Sequence, residues 1–440
     1  MQQSVRTEEN PALQLAAELA KERNLPLQIV FGLTENYPEA NLRHYTFLVE
    51  GLVDVGRRLA ERGLRLDVWA GSPDTVAVRA AAKARILVTD HGYTRIQRLW
   101  RHRAAEACVC PLLRVEGDVT VPVETASEKD EWAAATLRPK IHRLLPDFLE
   151  HHSSGEIPDV KSSPEPETGA LLSEDLHHLL TTMQLDRSVS PSEAWRGGET
   201  TAEATLESFL NSRLQQYHEL RSHPDRDHVS HLSPYLHFGH IAPLKIARRV
   251  HQTDAPSEAK SAFLEELIVR RELACNFVWF NRHYDTYDCL PEWALKTLAA
   301  HASDRREVIY TQRELEAAAT HDPYWNAAQR EMTDTGFMHN YMRMYWGKKI
   351  LEWSASPREA FETALYLNNR YQLDGRDPNS FAGVAWCFGK HDRPWQERPI
   401  FGMVRYMNAG GLKRKFDIDA YVRRVMQHHS AAVSDGLFAH

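Results

Sequence analysis

Cysteine is scarce in this chain and placed without pattern: Cys108, Cys110, Cys275, Cys289 and Cys387 are the five in 440 residues. None forms a C-x-x-C pair, so neither a zinc site nor a disulfide framework is indicated, and no metal is predicted. An odd, irregular set of thiols fits a reducing, cytoplasmic setting. No apolar run approaches the roughly eighteen residues that a membrane helix needs. The first residues, MQQSVRTEEN, are polar and lack the apolar stretch of a secretory leader. There is no G-x-G-x-x-G phosphate loop, which argues against a nicotinamide site, and no fixed period repeats along the chain.

What is present is the composition of an ordinary globular protein, 42% hydrophobic and 26% charged, with length enough for two cores. A formal charge of −7 argues against indiscriminate nucleic-acid binding, but the charge is uneven. Between Lys390 and Arg424 stand nine Lys/Arg against four acids, a local excess of five positive charges. That stretch reads as a solvated charged face or as a surface for phosphate contact.

Apolar patterning predicts strands over Leu25–Leu33, Leu64–Gly71 and Ala84–Asp90, alternating with helices over Phe47–Gly63 and Asp74–Ala84. Alternation of this kind predicts a doubly wound parallel sheet. The stretch His151–Gly169 is rich in Ser, Pro and Glu, as exposed linkers are. From about Glu193 onward the pattern is helical, punctuated by Pro and Gly. The expected organisation is an N-terminal α/β domain over 1–150, a linker over 151–192 and an all-α domain over 193–440.

The densest chemistry lies in Gly336–Asp374, GFMHNYMRMYWGKKILEWS followed by LNNRYQLDG. Trp346 and Trp353 are seven residues apart, close to two helical turns, so a helix stacks them along one side. Two indoles in register beside Arg343 and a run of methionines read either as helix packing or as an aromatic relay beside a planar ligand. Upstream, Ser230-His231-Leu232-Ser233-Pro234 puts hydroxyls ahead of a helix with proline in its first turn, a helix cap or a phosphate cradle.

The segments GFMHNYMRMYWGKKILEWS, LNNRYQLDGRDPN, GVAWCFGKHDRPWQERPIFGMVRYM and KRKFD together resemble the C-terminal half of the photolyase/cryptochrome family. The likeness is closest to the class II cyclobutane pyrimidine dimer photolyases and runs from about Asn10 to Tyr421. It implies FAD in the helical domain, held by Tyr217, Ser230, Leu232, Ser233, Asn340, Arg343, Asn368 and Asp374. Within that set Arg343 and Asp374 match an ion pair beside the isoalloxazine, and Asn368 matches the amide facing flavin N5. Asn340 departs from the small residue that relatives often carry. Trp346, nearest the flavin, with Trp325 and Trp353, matches the tryptophans that carry an electron between flavin and surface. Glu266, Met344 and Trp386 match the lining of the dimer pocket, while Arg270 stands where other photolyases often have an aromatic residue. Arg393, Trp395 and Arg405 match the residues that fill the gap left by base extrusion, a step photolyases require. Lys413, Arg414 and Lys415 are expected to contact phosphates.

The function implied is light-driven repair of cyclobutane pyrimidine dimers by a monomer acting on UV-damaged DNA, with electron transfer from excited reduced FAD. A cryptochrome-like flavin photoreceptor is the alternative. An antenna chromophore of the 8-hydroxy-5-deazaflavin type is expected in the α/β domain. The family also opens with a central strand for which this sequence has no counterpart, so a sheet lacking its first strand is expected.

Overall fold

The computed structural model describes residues 1–150, 157–163, 170–171 and 176–436. Strand β1 (Ile29–Leu33) runs parallel to β2 (Leu66–Ala70), with Ile29 opposite Leu66 and Leu33 opposite Ala70. Strand β3 (Leu87–Asp90) runs parallel to β4 (Leu112–Val115). Helices Leu42–Ala60, Pro73–Ala81 and Arg95–Ala107 make the successive crossovers, as parallel strands require. The expected strands are present but shorter at their ends. The half-polar LLRV of β4 is an addition, and so is β5 (Ala170–Leu171), antiparallel to β2.

The sheet is in two pieces, β1-β2-β5 and β3-β4, and the first residues of the chain lie between them. The terminal amino group donates to the Val30 carbonyl at 3.0 Å, and the Gln2 side chain exchanges hydrogen bonds with Gly32 at 3.1 and 3.2 Å. The amides of Gln2, Gln3 and Ser4 converge on Asp90 Oδ2 at 2.7, 2.7 and 3.0 Å. Burial works against the Asp90 charge. The Arg101 guanidinium at 2.7 Å, the amino terminus and these amides nonetheless hold its carboxyl down at about 2. Among the described residues no strand stands between β1 and β3, and side-chain bonds take the place of a ladder.

Val5, Leu13, Phe31, Leu52 and Val68 form the core of this unit. Ile157, Leu176, Leu180 and Met183 are buried in the same core, so the described parts of the expected linker pack onto the sheet. Residues 151–156, 164–169 and 172–175 of that stretch lie outside the described residues. The expected boundary at residue 150 does not coincide with a break in packing. Val121, Leu137 and Ile141 share a core with Phe209, Phe263 and Ile268 of the helical part, and the Thr120 amide donates to Glu272 at 2.6 Å.

Two features of the helical part position the site. Helix Pro323–Thr335 ends at Gly336, in the left-handed conformation at φ +79°, where a Cβ would come within 2.9 Å of Leu373 Cγ. The chain then turns into helix Asn340–Trp353, and the Leu373 amide donates to the Gly336 carbonyl at 2.9 Å. That bond holds the turn carrying Asp374 against the start of the helix carrying Arg343. Among the described residues no helix is long and apolar enough to cross a membrane.

Candidate functional site

A cavity of about 880 Å³ opens in the helical part. Leu232 and Ser233 at the start of the short helix Ser233–His237 line it, with Ser230 just ahead, Tyr217, Asn340, Arg343, Asn368 and Asp374. Proline 234 sits in the first turn of that helix, as expected. Arg343 Nη2 donates to both oxygens of Asp374, at 2.8 and 2.9 Å, and to Gln372 Oε1 at 3.0 Å. Its Nε donates to the Met338 carbonyl at 3.2 Å, so the guanidinium is fixed from two sides. The Asn368 amide nitrogen donates to Asn369 Oδ1 at 3.1 Å and to the Ser380 hydroxyl, which leaves Oδ1 as its remaining polar atom.

Glu266, Met344 and Trp386 line the same cavity. Glu266 lies in a π-helical segment, Glu265–Arg270, inserted between helices Ser257–Leu264 and Arg271–Phe280. Glu266 and Arg270 both line the cavity, and π-helical turns of this kind recur at functional sites. Periodicity alone reads EELIVRREL as plain helix, and the structure corrects that. Arg221 Nη1 donates to Glu266 Oε1 at 2.5 Å, and Arg270 pairs with Glu265 at 3.3 Å. Two cations approach the Trp386 ring, Lys348 Nζ at 5.0 Å and the Arg405 guanidinium at 5.7 Å from its centre.

The three expected relay tryptophans come together in an order that spacing does not give. Trp346 lines the cavity, and Trp325 lies parallel to it, centroids 6.4 Å apart and planes at 7°. Trp353 meets Trp325 edge-on at 5.8 Å. Trp346 and Trp353 therefore do not stack along their shared helix, because Trp325 from the neighbouring helix stands between them. The Trp325 N–H donates to the Trp346 carbonyl at 3.0 Å, and the Trp346 N–H to Gln329 at 2.8 Å. All three are buried, Trp353 at 3% exposure included.

At the cavity mouth the Arg405 guanidinium lies 4.7 Å and the Arg393 guanidinium 5.3 Å from the ring of the exposed Trp395. The Trp395 amide donates to the Met403 carbonyl at 2.8 Å, which holds the loop that presents this ring. Arg414 and Lys415 join the lining. Lys413 does not, since its ammonium sits 5.6 Å from the Tyr324 ring, so the structure sets it apart from its two neighbours.

Three residues in or beside the site, Arg221 and His391 in its lining and Lys348 against the Trp386 ring, lie outside the sequence reading. Arg221, one turn beyond Tyr217, carried a signal in that spacing alone. Lys348 is fully buried, donates to the Cys387 carbonyl at 2.6 Å, and has its pKa lowered by burial to about 8. His391 lines the cavity, and burial keeps its imidazole well below the usual histidine range. Burial, with Glu266 nearby, raises the Tyr217 phenol.

The DNA photolyase family model matches residues 1–165. The deoxyribodipyrimidine photo-lyase of Methanothermobacter thermautotrophicus is 51% identical over 427 residues, 97% of this chain and 93% of that one. The chain belongs to the DNA photolyase family. It is an enzyme of the photo-lyase class. The deoxyribodipyrimidine photo-lyase of Potorous tridactylus is 38% identical, over 97% of this chain and 80% of its own. Among solved structures, a bacterial class III photolyase from Agrobacterium tumefaciens superposes with a TM-score of 0.74 at 19% identity, covering 97% of this chain and 85% of that one. An archaeal photolyase from Sulfolobus tokodaii, solved with two FAD molecules, gives 0.71 at 16% identity, over 96% and 89%. These two show the α/β-plus-helical fold.

Proposed function

We propose that this chain repairs cyclobutane pyrimidine dimers in DNA with light and FAD, acting as a monomer on UV-damaged duplexes. The observation that carries this reading is that one cavity holds both halves of the required chemistry. The fixed Arg343–Asp374 pair and Asn368 share it with Glu266, Met344 and Trp386, under a cationic mouth. The residues fit the cofactor in size and donor set. A cavity of about 880 Å³ is within the range of cofactor pockets, and His231 in its lining has a buried Nδ1 with no hydrogen-bond partner among the described residues. Bound there, FAD supplies light absorption and the transferable electron.

The chain's own residues do the rest. Arg343, held by Asp374, favours negative charge at the cofactor site, and the free Oδ1 of Asn368 accepts a hydrogen bond there. Glu266, steadied by Arg221, accepts from an imide N–H of the lesion. Trp386 offers a flat face to the extruded bases, and Met344 fills soft space beside them. Trp395, with Arg393 and Arg405, occupies the gap that extrusion leaves. Arg414 and Lys415 hold phosphates, while Lys413 adds to the field from outside the cavity. Trp346, Trp325 and Trp353, in ring contact one after the other, would conduct an electron toward the cofactor site.

For an antenna chromophore, one small pocket near the sheet is lined by Tyr37, His44, Gln97, Trp100 and Arg376. At about 90 Å³ that pocket has room for about three waters, at roughly 30 Å³ each. The tricyclic deazaflavin expected from the sequence does not fit it without widening.

The test is binding in the dark. A duplex carrying one thymine dimer is expected to bind at least about tenfold tighter than its undamaged twin, with the preference lost in Trp386→Ala. Equal affinity for both duplexes would favour the photoreceptor reading.

A further inference from the structure

The tryptophan relay stops short of water. Trp353, its outermost member, is only 3% exposed, so a radical left there is still inside the protein. Tyr310 and His321, both more exposed than Trp353, pack against that indole. The Tyr310 ring meets Trp353 edge-on, centroids 5.5 Å apart, and its backbone amide donates to the Trp353 carbonyl at 3.0 Å. His321 packs on the same indole at 5.2 Å and is itself exposed, while Tyr310 is half-buried.

The phenol and the imidazole are joined. The Tyr310 hydroxyl lies 2.7 Å from His321 Nδ1, and the His321 backbone amide donates to the same hydroxyl at 2.9 Å. With one lone pair of the phenol oxygen taken by that N–H, the phenol proton is directed to Nδ1 in the tautomer that carries its hydrogen on Nε2. A phenol gives up an electron readily only if its proton has somewhere to go, and a neutral imidazole at hydrogen-bond distance is such a place.

Charge favours moving the vacancy outward. The Lys349 ammonium sits 5.4 Å from the Trp353 ring centre, where it raises the energy of a cationic indole, although Glu352 at 2.6 Å offsets part of this. A neutral phenoxyl radical carries no such penalty, and the proton it sheds resides on a histidine in contact with water. The molecule holds a contrasting pair, Tyr345 and Asp322. Its phenol donates to a carboxylate, but both residues are buried.

We propose that Tyr310 and His321 form the terminal electron-donor pair of the relay. This rests on the reading of Trp346, Trp325 and Trp353 as that relay, driven by a light-excited oxidised flavin as the first oxidant. In the step itself one electron passes from Tyr310 to the Trp353 radical cation, and the phenolic proton passes to His321 Nδ1. The products are a neutral indole, a neutral phenoxyl radical and an imidazolium, so one unit of positive charge is kept throughout. A thiol or other reductant in solution then restores Tyr310.

The test is flash spectroscopy on the FAD-loaded protein in ordinary and heavy water, with Tyr310→Phe and His321→Leu alongside. The wild type should show an indole radical cation that converts to a phenoxyl signal, more slowly in heavy water. In Tyr310→Phe the indole signal should persist without a successor and recombine, shortening the charge-separated lifetime roughly tenfold. His321→Leu should behave in the same way, although the phenol is still present; a merely structural role for His321 would leave the phenoxyl signal intact. An indole radical in the wild type that never yields phenoxyl would overturn the proposal and leave the relay reading standing. A wild type with no indole radical at all would overturn both.

Discussion

Trp325 lies parallel to Trp346, 6.4 Å between ring centres, and donates its indole hydrogen to the Trp346 carbonyl at 3.0 Å. The two rings sit on different helices, and that hydrogen bond sets their spacing. Electron transfer falls off steeply with distance, so removing the middle ring leaves a gap that the outer tryptophan cannot bridge. Trp325→Phe is therefore expected to retain FAD and to slow photoreduction of the oxidised cofactor by more than about tenfold. Repair by chemically reduced protein should be untouched, and absorbance under continuous light separates the two.

Arg343 and Asp374 form a nearly buried bidentate pair at 2.8 and 2.9 Å. Arg343→Ala leaves the carboxylate without its partner, an arrangement that costs about 3–5 kcal/mol when the pair is buried. Loss of FAD on gel filtration and a lowered unfolding midpoint are both expected. Asp374→Asn, which keeps the shape, should lower flavin affinity with a smaller loss of stability.

Lys348 makes stability depend on pH in an unusual direction. Burial lowers its pKa from 10.5 to about 8, so between those values the unfolded chain holds a proton that the folded chain has released. Stability then rises with pH across that window, by at most about 3 kcal/mol from 2.5 pH units at about 1.36 kcal/mol each. Below about pH 8 both states are charged and the folded protein bears the cost in full. Lys348→Met should be the more stable form near neutral pH and should lose the rise. Urea unfolding of both proteins across the window checks this.

Arg414 lines the cavity mouth, whereas Lys413 lies over Tyr324. Arg414→Ala is expected to weaken binding to damaged and undamaged duplexes alike and to reduce the salt slope by about one. Lys413→Ala should change the slope less. Trp395→Ala should act differently again, lowering affinity for the damaged duplex alone, because the ring is needed only when a base pair has been opened.

Much of this site was legible in the sequence, for physical reasons that differ between residues. The two-turn spacing of Trp346 and Trp353 made the segment around Arg343 readable as helix, and the motif match extended to Asp374 and Asn368. The order of the tryptophans was hidden, because Trp325 enters from another helix and spacing along one helix says nothing about an intruding ring. The π-helical turn at Glu265–Arg270 was hidden too: one extra residue per turn leaves no mark on an apolar pattern already mixed with charge. Ile157 shows the limit of composition, since a Ser- and Pro-rich stretch reads as linker even where an apolar residue ties it to a core. Lys348 left no signal, because lysine on a helix usually faces water, and only the packing around it shows that it is buried.

The most direct measurement is repair itself. The FAD-loaded protein would be reduced, mixed with DNA containing thymine dimers, and illuminated with blue or near-ultraviolet light while the absorbance of restored thymine is followed. The account predicts recovery that needs light, proceeds through many turnovers, and collapses in Glu266→Ala and Trp386→Ala proteins that still hold FAD. A reduced, FAD-bound wild type that absorbs the light and leaves every dimer intact would contradict it.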